Sequence, residues 1–210
     1  MNIEALNNEY RDKSPQEIIA KALELAKGPV IVSTNFRPLE AVVLNMCTEQ
    51  QAEMPVLWVA SGYMMEETYK FAQKAIDQLK LNIKVYNPLM TAARRDAVYG
   101  PVPSLESEEE VEAFSEMVKL EPFRRALDDH KPDVWITSIR KEQNAFRDTL
   151  DVFVMEGDGP LKVNPVFYWS ETQMDEYISE NNLPDEKIYF DPTKINEKRE
   201  CGLHKPGFSK

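Results

Sequence analysis

Short runs of apolar residues alternate along the chain with longer segments in which apolar residues recur every three or four positions. The four clearest runs have the length of buried strands and occupy residues 30–32, 55–60, 83–86 and 134–137. Strands that alternate with helical segments are typical of βαβ units, which form parallel sheets. We therefore predict an α/β fold, a single domain in which helices flank a mostly parallel central sheet.

The helical segments begin and end at residues that favour those positions. Ser14 stands before Pro15, which is the pattern of an N-cap serine followed by proline at the first helical position. The Gly28-Pro29 pair ends this first predicted helix. Helical spacing of apolar residues is also present in segments 39–47, 66–81, 121–127 and 171–180.

Three further segments complete the predicted organisation. Residues 152–155 and 161–163 are short apolar runs on either side of a glycine-containing turn, which predicts a β-hairpin. The acidic stretch 104–118 predicts a solvated helix or loop. From residue 183 onward the chain is polar and proline-containing, and we expect it to be irregular.

Loops that follow the strands carry the first candidate binding residues. Parallel sheets bind ligands outside the carboxyl ends of their strands, so the loops 33–37, 61–63 and 138–147 should meet at one edge. Ser33 and Thr34 offer hydroxyl groups just before a predicted helix, where backbone N–H groups favour an anion. A simple capped turn is the alternative interpretation of this loop.

Two arginines frame the loop after the fourth predicted strand. Arg140 and Arg147 would lie at the ligand-binding edge, and the planar guanidinium group suits phosphate and sulfate oxygens. The alternative is that both are surface residues that form ion pairs with Glu142 and Asp148. Position along the chain does not separate these two interpretations.

The chain contains two cysteines, and their surroundings differ. Cys47 lies among apolar residues of a predicted helix, which indicates a core position. Cys201 is followed by His204 and preceded by Lys198 and Arg199, and positive neighbours lower the pKa of a thiol and favour the nucleophilic thiolate. An incidental cysteine on a basic tail is the alternative.

Composition excludes several classes of protein. The net charge of −11 argues against general nucleic-acid binding, although a local basic pocket could still hold a small anion. Two cysteines and two histidines make a zinc site improbable, and they are too few for an iron–sulfur cluster held by one chain. No apolar run approaches the roughly 20 residues that a membrane-spanning helix needs, so we expect a cytoplasmic protein that is not bound to a membrane.

Several of these segments, in this order, resemble the phosphoadenylyl-sulfate (PAPS) reductase family, whose fold belongs to the adenine nucleotide alpha hydrolase (PP-loop) group. The closing KRECGLH looks like the C-terminal active-site signature of the family and is its most specific motif. The other matches are the S-G-Y of residues 61–63, the E-P-x-x-R-A-L of residues 121–127, the R-K-E-Q…R of residues 140–147, and the K-V-x-P-x-x-x-W of residues 162–169.

The resemblance implies a function for each candidate residue. Cys201 would attack the sulfur of PAPS, adenosine 3′,5′-bisphosphate would leave, and thioredoxin or glutaredoxin would release sulfite from the resulting S-sulfocysteine. The implied substrate-binding residues are Ser33, Thr34, Gly62, Tyr63, Arg125, Arg140, Arg147, Lys198, Arg199 and His204. Residues 1–190 would form the nucleotide-binding domain, and residues 191–210 a flexible tail that carries the cysteine. A homodimer without a bound cofactor is expected.

Some positions depart from the family pattern. The family's first loop usually reads S-x-S-F-G, whereas this chain has Asn35 at the second serine and Arg37 at the glycine. The paired cysteines of the relatives that carry a four-iron cluster and use adenylyl sulfate (APS) are absent, which favours the cluster-free branch that uses PAPS. Two alternatives remain open: a PP-loop transferase that uses ATP, and a divergent homologue that either uses a different sulfonucleotide or binds an adenine nucleotide with little catalysis.

Overall fold

The computed structural model describes residues 1–104 and 107–193. Within these ranges the chain forms a six-stranded sheet, and helices cover both of its faces. The strands are β1 (Val30–Thr34), β2 (Pro55–Val59), β3 (Asn82–Tyr86), β4 (Val134–Ile136), β5 (Phe153–Val154) and β6 (Leu161–Val163). The helices are α1 (Ile3–Tyr10), α2 (Pro15–Leu25), α3 (Ala41–Gln50), α4 (Glu66–Leu79), α5 (Ala92–Tyr99), α6 (Glu108–Ser115), α7 (Glu121–His130) and α8 (Glu171–Glu180).

The sheet is mostly parallel, as predicted. Its strand order is β3-β2-β1-β4-β6-β5, and the antiparallel pair of described strands is the β5–β6 hairpin. The chain builds outward from β1 to β3, then crosses back to place β4 on the other side of β1. The gap between the exits of β1 and β4 is therefore the point at which the strand order reverses, where open α/β sheets bind their ligands.

Alternating side chains bury both faces of the central strands. On one face, Val30 and Val32 of β1 pack in the larger core with helices α2, α3 and α4. On the other face, Ile31 and Trp135 pack against Phe123 of α7. Burial on both faces explains why these strands are continuous apolar runs in the sequence.

Helix α3 begins later than its apolar periodicity predicts. Phe36 and Leu39 adopt positive φ angles of 52° and 71°, a left-handed conformation that is uncommon for residues with a side chain. The chain therefore turns sharply after β1, and the helix starts at Ala41 rather than at Leu39. This turn places residues 33–40 across the end of the sheet.

The acidic stretch before α7 is helical, and one of its faces is buried. Val111 and Phe114 of α6 are inside the protein, and a π-helical turn, Glu116–Leu120, joins α6 directly to α7. π-Turns within α-helices are frequently found at functional sites. None of the helices in residues 1–104 and 107–193 is both long and apolar enough to cross a bilayer.

Helix α1 protects the outer edge of the sheet. Asn7 donates a hydrogen bond from Nδ2 to the Phe153 carbonyl at 2.9 Å and accepts one from the Phe153 N–H at 2.8 Å. Both residues are buried, so the amide group takes the place of a neighbouring strand beside β5. Edge strands that keep unpaired backbone groups are sites of aggregation, and this contact removes one such pair.

We expect Asn7→Ala to lower the free energy of unfolding by about 2–4 kcal/mol, because two buried backbone groups lose their partners. Asn8, the next residue of α1, is exposed and provides the matched control. Asn8→Ala should change stability by less than about 0.5 kcal/mol. Urea unfolding of both variants measures the difference, and equal stabilities would contradict a structural role for Asn7.

Candidate functional site

A pocket opens at the carboxyl edge of the sheet between the exits of β1 and β4. Its walls come from the loop after β1 (residues 33–40), the exit of β2 (residues 59–64), the exit of β4 (residues 137–139) and the segment 189–193. Phe123, Val59 and Ile139 supply an apolar surface, and Arg147 and Lys119 supply positive charge. We call this cavity the edge pocket. Its mixture of apolar and cationic walls suits a planar base that carries anionic groups.

A buried carboxylate organises the loop after β1. Glu40 accepts hydrogen bonds from the Thr34 hydroxyl at 2.7 Å, from the Asn35 N–H at 2.9 Å and from the Ser138 hydroxyl at 3.0 Å. Arg37 forms an ion pair with the same carboxylate, with its Nε 3.1 Å from Glu40 Oε1. Glu40 therefore ties the exit of β1 to the exit of β4.

The two hydroxyls predicted to hold an anion line the edge pocket, and both are engaged within the protein. Ser33 Oγ accepts a hydrogen bond from Trp135 Nε1 at 2.7 Å, and the Thr34 hydroxyl donates to Glu40. The phosphate-binding role of Ser33 and Thr34 stays a prediction. Sequence reasoning missed Glu40, because an acidic residue near a helix start is an ordinary feature of soluble helices.

The loop after β4 buries both of its predicted arginines. Arg147 is 2% exposed and lines the edge pocket, and Arg140 is 5% exposed and forms ion pairs with Glu142 and Glu171. Both arginines are therefore buried, so the interpretation that they are surface residues is wrong. The ion pair that it expected between Arg140 and Glu142 does form. Arg37, Arg140 and Arg147 together line a groove that adjoins the edge pocket and shares Tyr189 and Phe190 with it. We call it the arginine groove.

Gly62, Tyr63 and Arg125 are not among the residues that line the edge pocket, although Gly62 and Tyr63 stand between Ser61 and Met64, which do line it. Gly62 has a φ of 85° in the turn after β2, and an added Cβ would lie 3.1 Å from the Ala92 side chain. The Tyr63 hydroxyl donates a hydrogen bond to Asp96 at 2.5 Å. Arg125 pairs with Glu121 and stacks on the Tyr86 ring. These contacts hold α5 and α7 in place, and the substrate-binding role of the three residues stays a prediction.

The segment 189–193 forms the outer wall of the edge pocket through a buried ion pair. Lys119 Nζ, on the π-turn, donates a hydrogen bond to Asp191 Oδ2 at 2.5 Å and another to the Thr193 hydroxyl at 3.1 Å. Both charged side chains are about nine-tenths buried. Burial by itself raises the pKa of Asp191, but the Lys119 charge and the hydrogen bonds from Lys119 and Thr193 outweigh it and leave that pKa below its ordinary value.

Four of the predicted site residues, Cys201, Lys198, Arg199 and His204, lie outside the described residues. The other cysteine, Cys47, is 1% exposed in the core, and burial raises the pKa of its thiol well above the ordinary value. A neutral, inaccessible thiol is a poor nucleophile. Of the two cysteines, Cys201 is therefore the candidate for thiol chemistry.

Comparison with known proteins gives a consistent result. The model of the phosphoadenosine phosphosulfate reductase domain matches residues 29–192. The chain is 31% identical to the phosphoadenosine 5′-phosphosulfate reductase of Synechococcus sp. over 85% of this chain and 77% of that protein. It is also 31% identical to the enzyme of the same name from Pectobacterium carotovorum, over 95% of this chain and 90% of that protein.

A solved structure has the same fold. The chain superimposes on a phosphoadenylyl-sulfate reductase from Candida auris, a phosphate complex, with a TM-score of 0.74. The match covers 87% of each chain at 24% sequence identity. At this level of identity the similarity establishes the architecture, and the α/β fold expected from the sequence is confirmed.

Proposed function

Because the chain belongs to the phosphoadenosine phosphosulfate reductase family, we propose that it reduces PAPS to sulfite and adenosine 3′,5′-bisphosphate through the thiol of Cys201. The observation that carries this proposal is the position of Thr193, which lines the edge pocket. Cys201 follows Thr193 by eight residues, a length that spans at most about 26–29 Å when fully extended. Covalent geometry therefore allows the thiol to reach a ligand in the pocket.

The proposed transfer is a displacement at sulfur. The Cys201 thiolate attacks the sulfur of the sulfo group, an S–S bond forms, and the bond between that sulfur and the bridging oxygen breaks. The electron pair of the broken bond stays on the phosphate oxygen, so adenosine 3′,5′-bisphosphate leaves and Cys201 carries the sulfo group. Cationic side chains stabilise the negative charge that develops on the leaving oxygen. Arg147 at the pocket wall and Arg199 beside the cysteine are the candidates for this role.

Release of sulfite requires a dithiol reductant such as reduced thioredoxin or glutaredoxin. One thiolate of the reductant attacks Sγ of Cys201, sulfite leaves with the electron pair of the S–S bond, and a mixed disulfide forms. The second thiol of the reductant then attacks this disulfide, which restores the Cys201 thiol and leaves the reductant oxidised. Separating the transfer of the sulfo group to Cys201 from the reductive release of sulfite replaces one difficult step by two easier ones.

We assign substrate binding to two groups of residues: those in the walls of the two cavities and those near Cys201. In this proposal the apolar wall at Phe123 and Ile139 packs against the adenine, and Arg140 and Arg147 bind phosphate or sulfo oxygens. Lys198 and His204 bind the sulfo group when the tail approaches. In this proposal the protein works as a cytoplasmic homodimer and uses neither a bound cofactor nor an iron–sulfur cluster.

The proposal is tested by measuring sulfite release from PAPS and from APS in parallel, with reduced thioredoxin and then with reduced glutaredoxin. We expect sulfite from PAPS with one or both reductants, and much slower release from APS. Retained binding of adenosine 3′,5′-bisphosphate without sulfite from either substrate would favour the nucleotide-binding alternative and reject the reductase.

A further inference from the structure

Arg37 occupies the wall that the edge pocket shares with the arginine groove. It stands where the family pattern has glycine, so the chain adds a guanidinium group at this corner. Its side chain is 20% exposed, which leaves part of the group accessible from the cavity. A positive group at the junction of two cavities can contact a ligand that extends from one into the other.

The contact with Glu40 holds Arg37 by one nitrogen. Nε lies 3.1 Å from Glu40 Oε1, and within residues 1–104 and 107–193 no hydrogen bond involves its two terminal nitrogens. Glu40 is itself fixed by Thr34, Asn35 and Ser138. The guanidinium group is therefore oriented by a rigid partner, and its terminal N–H donors remain available for a planar, bidentate contact.

Charges around Arg37 favour a dianion at this corner. Arg147 lines the same two cavities and adds a second positive charge. The other acids of the arginine groove are paired elsewhere, because Glu142 and Glu171 contact Arg140. Asp191 is likewise paired with Lys119. A ligand group that carries two negative charges on one phosphorus would gain more here than a singly charged one.

We propose that Arg37 binds the 3′-phosphate of the sulfonucleotide and makes the site select PAPS over APS. This inference rests on the proposed function and adds the residue that determines specificity. The 3′-phosphate is a terminal group with three free oxygens and close to two charges at neutral pH, which matches the two terminal nitrogens of Arg37. The phosphate and sulfo groups on the 5′ side each carry a single charge. In this proposal they contact the residues that surround the Cys201 thiol during transfer, rather than Arg37.

Binding of two products separates this role from a general one. We expect Arg37→Ala to weaken the binding of adenosine 3′,5′-bisphosphate by roughly 10- to 100-fold in isothermal titration calorimetry, the loss typical of a charge-assisted contact. Binding of adenosine 5′-monophosphate, which lacks the 3′-phosphate, should weaken by less than about threefold. Arg37→Lys keeps the charge without the bidentate geometry and should fall between the wild type and Arg37→Ala.

Arg94 provides the matched control, because it is an exposed arginine of α5 away from both cavities. Arg94→Ala should leave both affinities unchanged. Equal weakening of the two nucleotides by Arg37→Ala, or no weakening of either, would overturn the inference. Failure of the proposed function would give a different result. The wild type would release no sulfite, while Arg37→Ala would still weaken the binding of adenosine 3′,5′-bisphosphate more than that of adenosine 5′-monophosphate.

Discussion

Cys201→Ser is expected to reduce sulfite release from PAPS by about a thousandfold or more, because the substitution removes the atom that accepts the sulfo group. A serine hydroxyl is a far weaker nucleophile at neutral pH, since its proton is not lost there. The variant should still bind adenosine 3′,5′-bisphosphate with an affinity close to that of the wild type, because the pocket walls come from other segments. Steady-state assays and calorimetry measure these two quantities.

Cys47→Ala is the control for this prediction. Its thiol lies in the larger core, between the sheet and helices α2, α3 and α4, where burial raises the pKa of the thiol. Loss of one buried sulfur should cost about 1 kcal/mol of stability and leave turnover unchanged within about twofold. If Cys201→Ser retained sulfite release while Cys47→Ala lost it, the assignment of the nucleophile would be wrong.

Lys119→Met should detach the segment 189–193 from the edge pocket. The substitution leaves the Asp191 carboxylate buried without its counter-charge, and loss of one partner of a buried pair costs about 3–5 kcal/mol. The segment can leave the pocket and hydrate the carboxylate, so the cost appears as loss of docking. Hydrogen exchange at the Thr193 amide, which donates to Asp191 Oδ1 at 2.9 Å, should become faster, and S-sulfonation of Cys201 should slow by about tenfold or more.

Two further variants show whether docking or charge is responsible. Asp191→Asn keeps the Lys119 cation in the pocket and removes the ion pair, so it should also speed exchange at Thr193. Lys70→Met removes an exposed lysine that pairs with Glu66 on α4, and it should change neither exchange nor S-sulfonation. Unchanged exchange at Thr193 in Lys119→Met would show that the ion pair does not hold the segment.

The same ion pair gives a pH dependence with a definite sign. The folded pKa of Asp191 lies below its ordinary value of 3.8, so ionised Asp191 stabilises the docked segment. This stabilisation is fully present above pH 3.8 and is lost as the pH falls through the lower folded pKa. Protection of the Thr193 amide should therefore be constant between about pH 5 and 7 and decrease in strong acid.

The fold could be predicted from the sequence where burial leaves a simple pattern. Strands β1, β2 and β4 are covered on both faces and appear as apolar runs, whereas α5 was missed. Helix α5 buries Arg95 rather than an apolar stripe, so it has no hydrophobic periodicity to detect. Helix α1 was missed for a related reason, since one of its two buried residues is the polar Asn7.

The site could be predicted only in part, because some of its contacts join residues that are distant in sequence. The loops after β1 and β4 follow from the rule that ligands bind at the carboxyl ends of parallel strands. The Lys119–Asp191 pair connects residues 72 positions apart, and neither residue has a local signal. Glu40 was missed because its importance comes from Ser138, which a different strand delivers to it.

Intact-mass spectrometry of the wild-type protein after mixing with saturating PAPS, without a reductant, tests the central claim most directly. We predict a gain of the mass of one sulfo group, located on Cys201 by peptide mapping and removed by reduced thioredoxin. An unchanged mass while adenosine 3′,5′-bisphosphate still binds, or a sulfo group on any other residue, would contradict the claim that Cys201 attacks a sulfonucleotide in the edge pocket.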